Sequence, residues 1–347
     1  MRPPRPPLFW SILLLLLGVP GWSTVPRLPL LGARALFTAT PVVLCPDSPG
    51  KIRVGALVFD RGYRLRSPDP AFGGFSSLIV EGDRFLLLSD GGNIVRFRLD
   101  SRGHLSDRSF AELPDGPGIG WEKSDRDSES MTRDHATGQI WVGFENANAI
   151  WAYRAGLTRA LRHAAPLSMA DWPSNGGPEA MVRLRSGSFL VLSETGHWGK
   201  ATADHRDRAG IRFTADPTLG SRKGFRFSYQ PPPGFNPTDM AELPDGRLLV
   251  LNRRFGWPSG FTATLAIVDP AGIAPGKTVQ GRVIARFAPP VLSDNYEGIA
   301  LVREADGGTG LWMVSDDNQS RLQQSLLLHF RLDLKPNGAH RGARRTR

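Results

Sequence analysis

Residues 179–194 read EAMVRLRSGSFLVLSE: an acidic start, a short strand, a Ser-Gly turn and a second, apolar strand that ends on another acid. Four further segments repeat this layout: ESMTRDHATGQIWVGFE at 129–145, DMAELPDGRLLVLN at 239–252, EGIALVREADGGTGLWMVSD at 297–316 and, with serines replacing the first acid, FSSLIVEGDRFLLLSD at 75–90. Units of several strands that recur roughly every 50 to 60 residues are typical of β-propellers. The sequence therefore predicts an all-β propeller.

Most strand pairs are followed by a third strand, at residues 94–99, 149–153, 265–268 and 326–332. Five blades can be read in this way. One more strand pair, 52–59 with 62–65, precedes the first repeat. We expect it to contribute to a sixth blade, closing the ring with the C-terminal strands. The expected propeller has about six blades, and five to seven are compatible with the repeats.

The termini are predicted to lie outside the folded domain. Arg2 and Arg5 precede an apolar run at 8–19 and small residues, the layout of a secretory signal peptide at 1–24. We expect export to the periplasm or the medium, with no membrane span after signal removal; retention as an anchor is the alternative. A Pro-rich lead-in at 25–49 precedes the propeller domain at 50–335, and the basic tail at 336–347 is expected to be disordered.

Charge and cysteine content narrow the function classes. The formal net charge is +10, but two positive charges lie in the signal segment and four in the tail. No aromatic–basic platform or metal knuckle indicates nucleic-acid binding. Cys45 is the only cysteine, so no intrachain disulfide can form. We expect a monomer that binds a small-molecule ester or phosphoester and no nucleic acid.

Acidic residues stand at four predicted inner-strand starts: Glu129, Glu179, Asp239 and Glu297. A propeller directs these starts at one axis, where unpaired carboxylates are costly to bury and raise one another's pKa. A divalent cation resolves this conflict, and oxygen ligands favour Ca²⁺. The alternative is structural, with the acids accepting hydrogen bonds from backbone amides of neighbouring blades. Counted from the turn glycines, Thr238 aligns with Glu179, so Asp239 is one residue out of register.

A second set of acids, including Glu145 and Glu194, ends the adjacent strands. Because paired strands are antiparallel, these acids are predicted at the same mouth, as outer ligands or as a general acid or base; a role as turn formers is equally compatible. His197, beside Trp198 on a predicted loop, is the best candidate for proton transfer among the histidines.

Four basic residues near the predicted mouth are candidates for binding an anionic substrate group: Arg133, Lys200, Arg253 and Arg254. Arginine supplies forked contacts to phosphate or carboxylate, and lysine a point charge. Each of them is also compatible with a solvated surface position.

These motifs resemble the phytase-like family with esterase-like activity, which comprises exported bacterial propeller proteins. The resembling stretches lie between about residues 50 and 335: FGGFSSL at 72–78, ESM at 129–131, GPEAM at 177–181, NPTDMA at 236–241 with PDGR at 244–247, NRRF at 252–255, and NYEGIA at 295–300 with SDDN at 315–318. The resemblance implies a β-propeller and the hydrolysis of phosphate or carboxylate esters.

The chain also resembles calcium-dependent propeller lactonases, in the acids or amides just before its strand openings. It lacks the dense Asp and Lys clusters of the calcium-rich alkaline propeller phytases. We therefore expect an exported, calcium-dependent ester hydrolase with an acidic central funnel. The alternative is a non-catalytic propeller that uses this funnel to bind a ligand or an envelope protein.

Overall fold

The computed structural model describes residues 27–199, 206–220 and 224–334. The predicted signal segment, the basic tail and Lys200 lie outside these residues, so the predictions made for them stay predictions. No helix within the described ranges is long and apolar enough to cross a membrane.

The described chain forms five mainly antiparallel sheets, which are the blades of a propeller. Three N-terminal strands come first: β1 (Thr38–Pro41), β2 (Arg53–Val54) and β3 (Leu57–Arg66). The first blade is β4 (Phe75–Glu81), β5 (Arg84–Ser89), β6 (Asn93–Leu99) and β7 (Leu105–Glu112). The second is β8 (Ser128–Arg133), β9 (Ile140–Phe144), β10 (Ala149–Tyr153) and β11 (Ala160–Ala164).

The third blade is β12 (Pro178–Arg183), β13 (Phe189–Ser193), β14 (Arg208–Phe213) and β15 (Gly224–Gln230). The fourth is β16 (Asn236–Glu242), β17 (Leu248–Gly256), β18 (Gly260–Val268) and β20 (Arg282–Phe287), while the intervening β19 (Thr278–Gln280) pairs in parallel with β15 of the third blade. The fifth is β21 (Asn295–Arg303), β22 (Thr309–Asp316) and β23 (Ser325–Leu332). Short 3₁₀ turns lie at Lys123–Asp125, Ala155–Leu157, Leu167–Met169, Pro217–Leu219 and Pro270–Gly272.

The ring closes through the N-terminal strands. Strand β3 pairs antiparallel with β23 and becomes the fourth strand of the fifth blade, with β1 and β2 on its outer side. The propeller therefore has five blades, within the range that the repeats allowed. The expected sixth blade does not form, because residues 52–65 supply one long outer strand and only a two-residue partner at 53–54. The chain does close the ring with the C-terminal strand β23, but within the fifth blade.

The core lies between neighbouring blades. In β17, Leu249 and Leu251 pack with residues of the fifth blade, whereas Leu248 and Val250 pack with residues of the third. All four are almost completely buried. A strand buried on both faces is expected to be continuously apolar, as the sequence LLVL shows.

Candidate functional site at the upper face of the propeller

Each inner strand carries a β-bulge at the same position. The strand pairing skips one residue per blade near the start of the inner strand, which leaves that residue without a partner in the ladder. We call these residues the bulge ring: Ser76, Glu129, Glu179, Thr238 and Glu297. A bulge re-aims the side chain of its extra residue, and bulges occur frequently beside active sites. We call the face where the inner strands begin the upper face.

The second strand of each blade returns to this face and adds one residue beside the bulge ring. In each blade, the residue just before the bulge pairs with a residue of the second strand, and the next residue along the second strand lies beside the bulge ring. In the first blade, for example, Phe75 pairs with Ser89, and Asp90 follows. We call these residues the rim ring: Asp90, Glu145, Glu194, Arg253 and Asp316. Four blades thus contribute an acid to the rim ring, and the fourth blade contributes an arginine.

Three glutamates of the bulge ring converge. One carboxylate oxygen each of Glu129, Glu179 and Glu297 lies within 4.8 Å of the other two, and all three side chains are buried. Two further groups meet the same limit and overlap the first: Asp127, Glu129 and Glu145, and Glu145, Glu179 and Glu194. The upper face therefore holds a continuous buried cluster of carboxylates drawn from three blades.

Burial and mutual repulsion favour the protonated forms of these acids. Burial raises the pKa of Glu129 and of Glu179 well above the usual value, and neighbouring carboxylates raise both further. Burial also raises the pKa of Glu145, with help from Asp127, to about 7. Glu297 is raised by burial too, although Arg253 acts in the opposite direction.

Two cations partly balance the cluster. The Nη2 atom of Arg253 lies 2.8 Å from Glu194 Oε1 and 3.5 Å from Glu297 Oε1. Burial lowers the pKa of Arg253, but Glu297 and Glu194 outweigh this effect and keep it charged.

The second cation is Lys123, whose Nζ lies 2.9 Å from Asp90 Oδ2 and 3.2 Å from Asp127 Oδ1. It stands on a 3₁₀ turn within the loop that joins the first two blades. The sequence reasoning did not single out Lys123 or Asp127, because neither belongs to the repeat.

Asp239 lies apart from the carboxylate cluster. Its Oδ1 accepts a hydrogen bond from the backbone amide of Met240, and its Oδ2 accepts one from Ile299 in the fifth blade, both at 2.7 Å. Thr238 occupies the bulge ring instead, as the register count indicated. Asp239 is therefore placed as a latch between two blades, which was the structural alternative for these acids.

The predicted basic residues are distributed over different places. Arg133 ends β8 at the opposite face, where it contacts Glu81 Oε2 at 2.7 Å and lines a separate cavity of 730 Å³. Arg254 packs over the ring of Phe235 at 5.1 Å from its centroid. Only Arg253 contacts the carboxylate cluster among the predicted arginines. His197 is partly buried in the loop after β13.

The donor set fits a hard divalent cation. The Oε2 atom of Glu179 is buried and has no hydrogen-bond partner within the described residues. Its neighbours in the cluster offer only oxygen ligands, which Ca²⁺ and similar cations prefer over nitrogen or sulfur. Glu129, Glu179 and Glu297 are the residues that would hold such an ion.

A family model described as "Phytase-like: Esterase-like activity of phytase" matches residues 70–319. This range includes all five inner strands and both rings. A search of curated proteins gave no match.

Among solved structures, the chain is similar to Kuenenia stuttgartiensis hydrazine synthase (12% identity, TM-score 0.36, 72% of this chain and 58% of that chain) and to Myxococcus xanthus glutaminyl cyclase (13% identity, TM-score 0.45, 81% and 97%). It is also similar to a chain of a nidogen/laminin complex (8% identity, TM-score 0.40, 81% and 98%). The protein thus spans 58% of the length of the hydrazine synthase chain. No functional statement follows from similarities of this size.

Proposed function

Because the chain belongs to the phytase-like family, we propose that it is a calcium-dependent hydrolase of phosphoesters or of lactones and other carboxylesters. Its site is the carboxylate cluster of the upper face. The observation that carries the proposal is the convergence of Glu129, Glu179 and Glu297, one oxygen from each within 4.8 Å of the others.

Structural needs do not explain this convergence. Asp239 shows how an acid stabilises neighbouring blades, with both oxygens accepting backbone amides. Glu179 instead leaves a buried oxygen without a donor, and an unsatisfied buried polar atom costs about 1–3 kcal/mol. Groups that lower stability in this way are typical of functional sites.

The other residues of the cluster supply binding and proton transfer. Arg253, the cation of the rim ring, would hold an anionic oxygen of the substrate. Glu145, with its pKa raised to about 7, can exchange a proton near neutral pH. Glu194, which contacts Arg253, orients that guanidinium. A bound Ca²⁺ would act as a Lewis acid on the ester oxygen.

Export is part of the proposal and rests on the N-terminal sequence. The basic start and apolar run at 1–24 favour secretion to the periplasm or medium. Fractionation of cells that express the full chain tests this point. Recovery of the uncleaved chain in the membrane fraction would instead support the retained anchor.

The experiment that tests the function is an ester panel. Hydrolysis of p-nitrophenyl phosphate, p-nitrophenyl acetate and a γ-lactone is measured in calcium and in EDTA, for the wild type, Glu179→Gln and Glu242→Gln. Glu242 is the matched control, because it stands at the opposite end of β16 and pairs with Arg185. We expect calcium-dependent turnover that Glu179→Gln abolishes and Glu242→Gln retains.

If no ester is hydrolysed but calcium still binds in a way that depends on Glu179, the result favours the alternative function, a propeller that binds a ligand without catalysis. Metal analysis that finds no divalent cation bound to the purified protein contradicts the site itself.

A further inference from the structure

The fourth blade breaks the pattern of the two rings. It places Thr238 in the bulge ring and Arg253 in the rim ring, whereas the second, third and fifth blades place an acid in both. The ring of acids is therefore interrupted in the fourth blade, and the rim residue at this interruption is a cation. An anionic or oxygen-rich group meets the least repulsion when it approaches from the side of this blade.

The same blade carries a hairpin that rises above the upper face. The inner strand β16 has its last pair at Asn236↔Arg253, but β17 and β18 stay paired for three more residues, up to Gly256↔Gly260. The hairpin thus extends as a two-stranded ribbon that no inner strand covers. At about 3.3 Å per residue, its end lies roughly 10 Å beyond Arg253 along the strand.

Two exposed aromatic side chains lie on this hairpin. Phe255 is 71% exposed and Trp257, in the turn, is 96% exposed. Side chains alternate along a strand, so Phe255 lies on the same face of β17 as Arg253. The ring of Phe255 contacts only Phe261 among the aromatic residues described, with their centroids 4.8 Å apart. Exposed aromatic groups on a projecting hairpin are typical of binding surfaces.

We propose that Phe255 and Trp257 bind an aromatic or other apolar group of the substrate, while Arg253 and the carboxylate cluster bind its ester end. This inference rests on the proposed function and specifies its substrate class: an ester with an apolar part next to an anionic or oxygen-rich head. Two features of one strand carry it, the guanidinium at the interruption in the ring of acids and the exposed ring two residues farther along the same face.

The test compares two ligands that share the head and differ in the apolar part. Binding of 1-naphthylmethylphosphonate and of methylphosphonate is measured by calorimetry in the presence of calcium, because the P–C bond of these ligands is not an ester and cannot be hydrolysed. We expect the wild type to prefer the naphthyl ligand. The double variant Phe255→Ala/Trp257→Ala should lose about tenfold in affinity for 1-naphthylmethylphosphonate, because the contacts of an aromatic ring contribute about that factor to affinity. Its affinity for methylphosphonate should not change.

Leu219→Ala is the matched control. Leu219 is also an exposed apolar residue but lies between β14 and β15, at the opposite face, and its replacement should change neither affinity. Because Phe255 and Trp257 are solvent-exposed, the double variant should keep the melting temperature of the wild type, which checks its fold.

The aromatic surface is overturned by a wild type that binds both ligands equally or binds neither in calcium, and by a double variant that keeps its preference for the naphthyl ligand. The hydrolase proposal stands in these cases if the wild type hydrolyses an ester of the panel in calcium, and it falls as well if the wild type hydrolyses none.

Discussion

Replacing Glu179 by glutamine should make the metal-free protein more stable and should reduce the increase in stability that calcium causes. The oxygens lie within 4.8 Å of one another, and at that upper limit and an effective dielectric constant of about 20, two ionised carboxylates repel each other by about 3 kcal/mol. Glu179 faces two such neighbours, Glu129 and Glu297, and protonation already relieves part of this repulsion at neutral pH. A glutamine amide can also donate to the adjacent carboxylates.

The expected gain in EDTA at pH 8 is about 1–3 kcal/mol, or roughly 2–5 °C in Tm for a domain of this size. Calcium at about 100 times its Kd should stabilise the wild type by about 3 kcal/mol, or roughly 5 °C. Glu179→Gln should show little of this increment, so the order of the two proteins inverts between EDTA and calcium. Differential scanning calorimetry in both buffers measures all four values.

Asp239→Asn serves as the control, because Asp239 is buried and acidic but accepts two backbone amides. It should lower Tm in both buffers, since the amide group cannot accept both hydrogen bonds, and it should leave the calcium increment unchanged. A Glu179→Gln variant that is less stable than the wild type in EDTA and gains as much from calcium would contradict carboxylate repulsion and a metal site at Glu179.

Two further predictions concern charge. In EDTA, the Tm of Glu145→Gln minus that of the wild type should increase from pH 5 to pH 8. The folded-state pKa of Glu145 is raised to about 7, so the wild type loses folding stability as the pH rises from the ordinary pKa of a glutamate through 7. The glutamine variant has no such titration and does not lose this stability. A constant difference across this range would show that Glu145 titrates normally. Arg253→Met should cost about 3–5 kcal/mol in EDTA by leaving the buried Glu297 and the partly buried Glu194 without their cation, and calcium should recover part of this loss. The control Arg53→Met, which removes an exposed ion pair with Asp333, should cost less than about 1 kcal/mol; equal losses in chemical denaturation would contradict the special position of Arg253.

The sequence predicts the strands well because the blades repeat one local pattern of acid, strand, turn and apolar strand. The number of blades depends on a contact that no local pattern reports. Strands β3 and β23 are far apart in the sequence, and only their pairing decides that residues 57–66 complete the fifth blade. Repeat counting therefore gave a range, and ring closure fixes five.

The site is predictable where a residue belongs to the repeat. Glu129, Glu179 and Glu297 occupy equivalent bulges. Thr238 occupies the bulge of the fourth blade, as its distance in sequence from the turn glycine predicts. Arg133 is only four residues from Glu129, but four residues of strand span about 13 Å and carry it to the other face.

Lys123 could not be predicted in the same way. It reaches Asp90 and Asp127 from a loop whose path depends on tertiary packing. Its contacts therefore have no counterpart in the periodic pattern of the strands.

The pairing of β3 with β23, the last strand of the described residues, has a consequence for synthesis. Strand β22 has an unpaired edge until β23 arrives, and β23 in turn needs β3, which is made near the beginning. A nascent chain that stops before residue 325 can form four sheets but leaves the fifth incomplete, with backbone groups open to other chains. Cooperative folding must therefore wait for the last strand to be synthesised, and a truncation of the final ten described residues should yield aggregates rather than a smaller propeller.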